Sequence, residues 1–287
     1  MKKIKVKTPA KINLTLDVMK PNEQGFHNLK SLVASIDLYD YITIKKRKDW
    51  DVKLVNKGID PCCENTKNNA YLAAKMFSDT FMTEGVDIVI EKSIPVGAGL
   101  GGSSADVAGV LNGMKKLFEL DVDLAPLASK LGSDTTYMLG GGYAVLSGKG
   151  DKVDFKKIDK KLYLILITEK EGASTKEVYQ KFDSLKKARK ASCTDKAYKA
   201  LADNEMQDFY ELAKNDLYPA TVSFVEQLDF NLKALKKAGA PFAMMTGSGS
   251  AVFGLFTDVK ERDKAYKELK PLFKEQIMVA ETVCEKQ

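Results

Sequence analysis

Polar and apolar residues alternate near the start of the chain. Ile12, Leu14, Leu16 and Val18 point one way while Lys11, Asn13, Thr15 and Asp17 point the other, the pattern of a half-buried strand. Lys11 and Asn13 therefore share a strand face. A bend at KPNEQG follows, and FHNLKSLVASIDLYDYITIKKR reads as two further strand-rich stretches around Asp40. In NNAYLAAKMFSDTF, Leu72, Met76 and Phe77 recur at helical spacing, and VDIVIE is a short strand. It leads into the glycine-rich segment PVGAGLGGSSAD, behind which Val107, Val110, Leu111, Met114, Leu117 and Phe118 mark an amphipathic helix. DLAPLASKLG is a short helical piece ended by Gly132. SDTTYML follows, then a turn and strand in GGGYAVLSGKGD, and a first domain closes near the lysine-rich FKKIDKK, which divides the chain into 1–156 and 157–287. Beyond it, LYLILI is a buried strand, and helical segments surround TKEVYQKF, NEMQDFYELAK and SFVEQLDFNLKALKKAG. FAMMTGSGSAVFGLF reads as strand, glycine loop, strand. A charged amphipathic helix and the strand IMVAET finish the pattern. This order predicts an α+β fold with mostly antiparallel sheet.

Composition narrows the chemistry. The 287 residues suffice for about two average domains. A hydrophobic share of 44% with 29% charged residues excludes a largely disordered or fibrous chain. No window approaches the roughly 18 unbroken apolar residues of a membrane span. The basic N-terminus is read as structure rather than a leader, because Lys11, Asn13 and Asp17 interrupt any apolar stretch, so a cytoplasmic protein is expected. The net charge of +6 is modest and suits an anionic substrate. Runs such as KKLYLI, LKKARK and LKALKK read as solvated lysine faces, so no nucleic-acid partner is expected. Cys62, Cys63, Cys193 and Cys284 show no CxxC spacing and have one histidine to help them, which argues against a zinc site or a disulfide framework.

The segment from Pro95 to Asp106 carries the most information. Gly97, Gly99, Gly101 and Gly102 let backbone amides approach a ligand, and Ser103, Ser104 and the start of the following helix supply more donors for an anion. Gly97, Gly99 and Gly102 formally satisfy GxGxxG, but EKSIP separates strand from glycines and a second helical stretch follows the helix, unlike a dinucleotide-binding unit. No Gly-Lys-Ser/Thr closes the loop as a Walker A motif requires. Asp106 is read as an exposed first-turn acid balancing the helix dipole rather than as a metal ligand. Asp134, at a helix start, suits an N-cap, and beside Lys11 it also forms a pair sufficient for phosphoryl transfer: a carboxylate to accept a hydroxyl proton and an ammonium to hold it ionised. His27 follows Phe26 at a glycine bend, where a planar ligand could stack on Phe26 and hydrogen-bond to His27. Thr246, Gly247, Ser248 and Gly249 form a second glycine loop, a hairpin turn or a place where backbone meets substrate.

PAKINLTLDV, PVGAGLGGSSADVAG and TGSGSAVFGLF, in this order and at these separations, resemble the three signatures of the GHMP kinase superfamily across nearly the whole chain. PAKINL, GFHNLKSLVASIDLYDYITI and GLGGSS are most similar to the branch whose acceptor is a cytidine-diphosphate-linked polyol. The resemblance implies a two-domain α+β fold with a ribosomal-S5-like N-terminal half, a ferredoxin-like C-terminal half and an active site between them. It implies ATP and Mg²⁺, with residues 95–104 (Pro95, Gly97, Ala98, Gly99, Leu100, Gly101, Gly102, Ser103, Ser104) wrapping the phosphates, Ser104 near Mg²⁺, and Asn69 near the adenine. Asp134 takes the place of the catalytic aspartate and Lys11 that of its partner lysine. Asn13 contacts substrate, Phe26 and Tyr179 stack on the cytosine, and His27 pairs with it. Three departures stand out: Gln24-Gly25-Phe26-His27 replaces the usual Asp-Gly-Tyr-His, Thr135, Thr136 and Tyr137 follow the aspartate in place of Val-Pro and aromatics, and the loop lacks a third consecutive glycine. They leave open a divergent member acting on another small alcohol of homoserine, mevalonate or sugar type.

Overall fold

The structure is a computed structural model, and it describes residues 2–21, 27–58, 67–169, 172, 174–185 and 192–284. Phe26, Cys62 and Cys63 lie outside the described residues. The spine of the N-terminal half is β3 (His27–Lys46), one strand of 20 residues where two were expected. Asp40 does not interrupt it, because its carboxylate accepts the backbone N–H groups of Ser93 and Ile94 and the ammonium of Lys92. β1 (Lys3–Asn13) runs antiparallel along β3, with its register slipping between Pro9 and Ala10, where proline has no N–H to offer the ladder. The chain leaves β1 at Asn13 and resumes as β2 (Asp17–Pro21), so the expected alternating strand is broken in the middle.

β5 (Val86–Lys92) and β6 (Tyr143–Gly148) also pair with β3, and β4 (Val52–Gly58) and β7 (Lys152–Lys156) extend the sheet to the order β4-β5-β3-β6-β7. Only β4 and β5 run parallel among the described pairs. On this sheet lie α1 (Asn69–Phe81), α2 (Gly102–Phe118), α3 (Ala125–Leu131) and the single turn α4 (Thr135–Met138). α1 buries Ala70, Ala73, Ala74 and Phe77 and leaves Leu72 exposed, a correction to the face read from the larger side chains. Small alanines let this helix sit close, so spacing outranks side-chain size.

The C-terminal half is an antiparallel sheet in the order β11-β8-β10-β9, from β8 (Tyr163–Ile167), β9 (Phe242–Met245), β10 (Val252–Phe256) and β11 (Ile277–Glu281). Its helices are α5 (Thr175–Ser184), α6 (Thr194–Ala202), α7 (Met206–Leu212), α8 (Tyr218–Thr221), α9 (Gln227–Lys237) and α10 (Val259–Phe273). One core runs through both halves, joining Ala10, Ile12 and Leu32 to Leu164, Phe209 and Phe253. It covers both faces of the chain around β1, so the polar side of the alternating stretch is buried as deeply as the apolar side, with Lys11 at 4% and Asp17 at 2% exposure. Among the described residues no helix is long and apolar enough to cross a membrane.

Candidate active site

A cleft of about 320 Å³ opens where the two halves meet. One wall is the glycine loop. Gly101 takes a left-handed conformation at the head of α2, and no side chain caps that helix, so its leading N–H groups face the cleft from a positive helix end. A Cβ on Gly101 would meet Met138 and Lys11, at 2.5 Å and 3.0 Å. Gly97, Gly99, Gly101, Gly102, Ser103 and Ser104 line the cleft, whereas Ala98 and Leu100 turn into the core and are not among the lining residues. Pro95 precedes the walls of the cleft, and Asn69 stands at the rim, its Nδ2 3.4 Å from Ser103 Oγ.

The second glycine loop is packed against the first. A Cβ on Gly99 would lie 2.3 Å from the Thr246 carbonyl oxygen, and Ala251 N–H donates to the Ala98 carbonyl at 3.1 Å. Gly247 and Ser248 face the cleft, while Thr246 is buried beneath it. Gly249 is not on the wall: it backs onto Met245 and Thr221.

At the floor, Lys11 Nζ lies 3.4 Å from Asp134 Oδ2 and donates to Asn13 Oδ1 at 2.6 Å. Asp134 occupies the N-cap position of α4 yet makes no side-chain capping bond, so its carboxylate is left for other work. Asn13 is a strut: its Oδ1 also accepts Gly247 N–H at 2.9 Å, and its Nδ2 donates to Ser31 Oγ at 2.8 Å. Lysine, asparagine and the second glycine loop are thereby locked together.

The chain matches the family models of the GHMP kinases N terminal domain over residues 68–148 and of the GHMP kinases C terminal domain over residues 197–275. It is 35% identical over 284 residues to the 4-diphosphocytidyl-2-C-methyl-D-erythritol kinase of Caldicellulosiruptor saccharolyticus, covering 98% of this chain and 97% of that one. It is 36% identical over 288 residues to the enzyme of that name from Clostridium beijerinckii, covering 98% and 100%. The chain belongs to the GHMP kinase family. A crystal structure of 4-(cytidine 5'-diphospho)-2C-methyl-D-erythritol kinase superposes with a TM-score of 0.82 at 26% identity, covering 97% of this chain and 99% of that one. Homoserine kinase from Cytophaga hutchinsonii shares the fold, with a TM-score of 0.80 at 20% identity and coverage of 100% and 96%. This chain is thus a small-molecule kinase.

Further features of this GHMP kinase go beyond the sequence reading. The cleft is also lined by Leu16, Leu29, Ser133, Thr175 and Leu217, of which Thr175 Oγ1 lies 3.0 Å from Ser248 Oγ. The capping box formed by Ser174 and Glu177 starts α5 here, and its spacing is a readable signal that places Thr175 at a helix start. His27 stacks on Tyr179 with ring centroids 5.3 Å apart, and Tyr179 lines the cleft. Both ring nitrogens of His27 are engaged, by the Met19 carbonyl at 2.8 Å and Asp183 Oδ2 at 3.0 Å, rather than turned to the cleft for the pairing the resemblance implied. Burial, with the negative charge of Asp134, pushes the Tyr179 phenol up to about 12, so it stays neutral and stacks as an apolar ring. Asp106 is not the exposed acid expected: it lies beyond the first turn of α2, is buried, and pairs with Lys92. Burial pushes its carboxyl up to about 7 against the pull of the Lys92 ammonium.

Proposed function

We propose that this kinase transfers the γ-phosphoryl group of ATP to the 2-hydroxyl of 4-diphosphocytidyl-2-C-methyl-D-erythritol, a step of non-mevalonate isoprenoid biosynthesis that takes place in the cytoplasm. The observation that carries the reading is the Lys11–Asp134 pair, 3.4 Å apart at the floor of a cleft walled by a glycine loop and the open end of α2. The open backbone at Gly97, where a Cβ would meet nothing within 4 Å, fits a triphosphate. The hydroxyl of Ser104 and the carboxylate of Asp134 are hard oxygen donors of the kind that share Mg²⁺ with phosphates and water. ATP supplies the phosphoryl group, whose transfer spreads charge over its oxygens.

The protein's own residues then divide the work. N–H groups of the loop and of the α2 start hold phosphate oxygens and stabilise the charge that develops on them. Asp134 accepts the proton of the attacking hydroxyl as its oxygen bonds to phosphorus and ADP departs. Lys11 orients Asp134 and offers positive charge beside it, and Asn13 fixes Lys11. Tyr179 offers its face to the cytosine, with His27 behind it. ADP release with MgATP and the diphosphocytidyl acceptor tests the reading: turnover requires the acceptor, and Asp134→Asn lowers kcat roughly a hundredfold or more while leaving MgATP binding in place. A variant that turns over at the wild-type rate contradicts the assignment of the base.

A second reading, another small alcohol as acceptor, is motivated by the sequence after Asp134, where Thr135, Thr136 and Tyr137 stand in place of Val-Pro and aromatics. A thermal shift with MgATP but none with CDP or CMP would select that reading.

A further inference from the structure

Behind the glycine loop lies a buried ionic cluster that plays no part in the chemistry above. Lys92 Nζ donates to Asp40 Oδ2 at 2.5 Å and to Asp106 Oδ2 at 2.7 Å. Exposures of 0% for Asp40, 6% for Lys92 and 7% for Asp106 place all three inside the protein. Each belongs to a different element, namely β3, the end of β5 and α2. The other oxygen of Asp40 accepts the N–H groups of Ser93 and Ile94 at 2.6 Å and 2.9 Å, the residues through which the chain enters the loop. Asp106 sits on the helix by which the chain leaves it. One ammonium therefore ties both ends of the loop together. It also lies directly under the exit, since a Cβ on Gly102 would be 3.4 Å from Lys92 Nζ. Thr8 adds a nearby tie, its Oγ1 donating to the Ala105 carbonyl at 2.8 Å.

Neither stability nor charge attraction accounts for this arrangement. Buried ionic clusters are commonly no more stable than well-packed apolar replacements. Two carboxyl groups share the one ammonium, so the cluster adds no positive charge to attract an anion, and Asp106 Oδ1 is buried without a partner among the described residues. Directional hydrogen bonds are what such a cluster supplies that an apolar one does not. We propose that Asp40, Lys92 and Asp106 are positioning residues for the nucleotide, holding the entry and exit of loop 95–102 at the spacing its N–H groups need to receive phosphates. They take no part in acceptor binding or proton transfer. The proposal rests on the kinase reading above, so its test includes binding without turnover.

The experiment compares full-length wild type, Asp106→Ala and Asp106→Asn by steady-state kinetics and by calorimetric titration with MgADP. Asp106→Ala raises KM for MgATP about tenfold or more, with the acceptor KM within about twofold and kcat within about threefold of wild type. Asp106→Asn, which keeps an oxygen for Lys92, restores KM for MgATP to within about threefold of wild type. MgADP affinity follows the same order. If wild type binds MgADP but does not turn over the diphosphocytidyl acceptor, the substrate reading fails while the affinity order still decides the positioning proposal. Equal MgADP affinity in folded Asp106→Ala and wild type overturns it, as does a parallel loss in kcat and both KM values. Failure of both variants to fold makes the cluster a folding determinant and overturns it too, and a wild type that does not bind MgADP overturns both readings.

Discussion

Asp17 shows how much one buried carboxylate can hold. Its Oδ2 accepts from Ser192 Oγ, Thr194 Oγ1 and the N–H groups of Cys193 and Thr194, and Lys214 Nζ lies 3.0 Å from its Oδ1. It thereby caps α6 from β2, since Cys193 at the N-cap position offers no side-chain bond. Burial works against its charge, but hydrogen bonds from Ser192, Thr194 and Lys214 outweigh it and leave the carboxyl below its ordinary 3.8. A depressed value in the folded state means stability that is present above pH 3.8 and is lost as pH falls through the folded value. Thermal melts between pH 2 and 6 should therefore show a shallower acid limb in Asp17→Asn than in wild type, and the same slope in both would contradict this role. At this scale the sequence spoke unevenly. Lys11, Asp134 and the loop glycines stand out as candidates because their residue types and order carry chemistry, whereas the partners of Asp17, Lys92 and Asp106 lie between 14 and 197 positions away.

Elements divide along the same line. α2 and β8 were legible because a long apolar period or run forces burial whatever surrounds it. α6 was missed: its caps come from Asp17 rather than from its own flanks, and it is short and weakly apolar. β3 was split in two at Asp40 because a carboxylate inside a strand reads as a break until its backbone donors are known. The two glycine loops illustrate a contact between elements that neither announces alone. At Gly99 the backbone is left-handed, with φ at 78°, and the second loop occupies the place of a side chain. Gly99→Ala should cost about 2 kcal/mol or more in a urea melt and weaken MgATP binding as well, because the residue that strains also pushes the loops apart. An alanine variant with an unchanged urea midpoint would show that the loops can separate freely.

At the scale of the whole molecule, the division into two sheets falls between Lys156 and Tyr163, but the core does not divide there. Apolar residues of β1, β3, β8 and β10 belong to one core, bridged to β3 by β11 and α6, so separating the halves would bare the interior of both. Calorimetry of the full chain should show one cooperative unfolding transition with equal van't Hoff and calorimetric enthalpies, and two resolved transitions would mean that the halves fold independently. The shared core also explains the site, because Lys11, Asn13 and both glycine loops meet only where the halves close on each other. By itself the sequence determined the kind of fold, the family signatures and the candidate residues for phosphoryl transfer, since periodicity and residue type act locally along the chain. Only the tertiary structure decided which polar groups are buried, which carboxylates pair, and how Lys11 comes within reach of Asp134, because burial and distance between residues far apart in the chain are properties of the packed molecule.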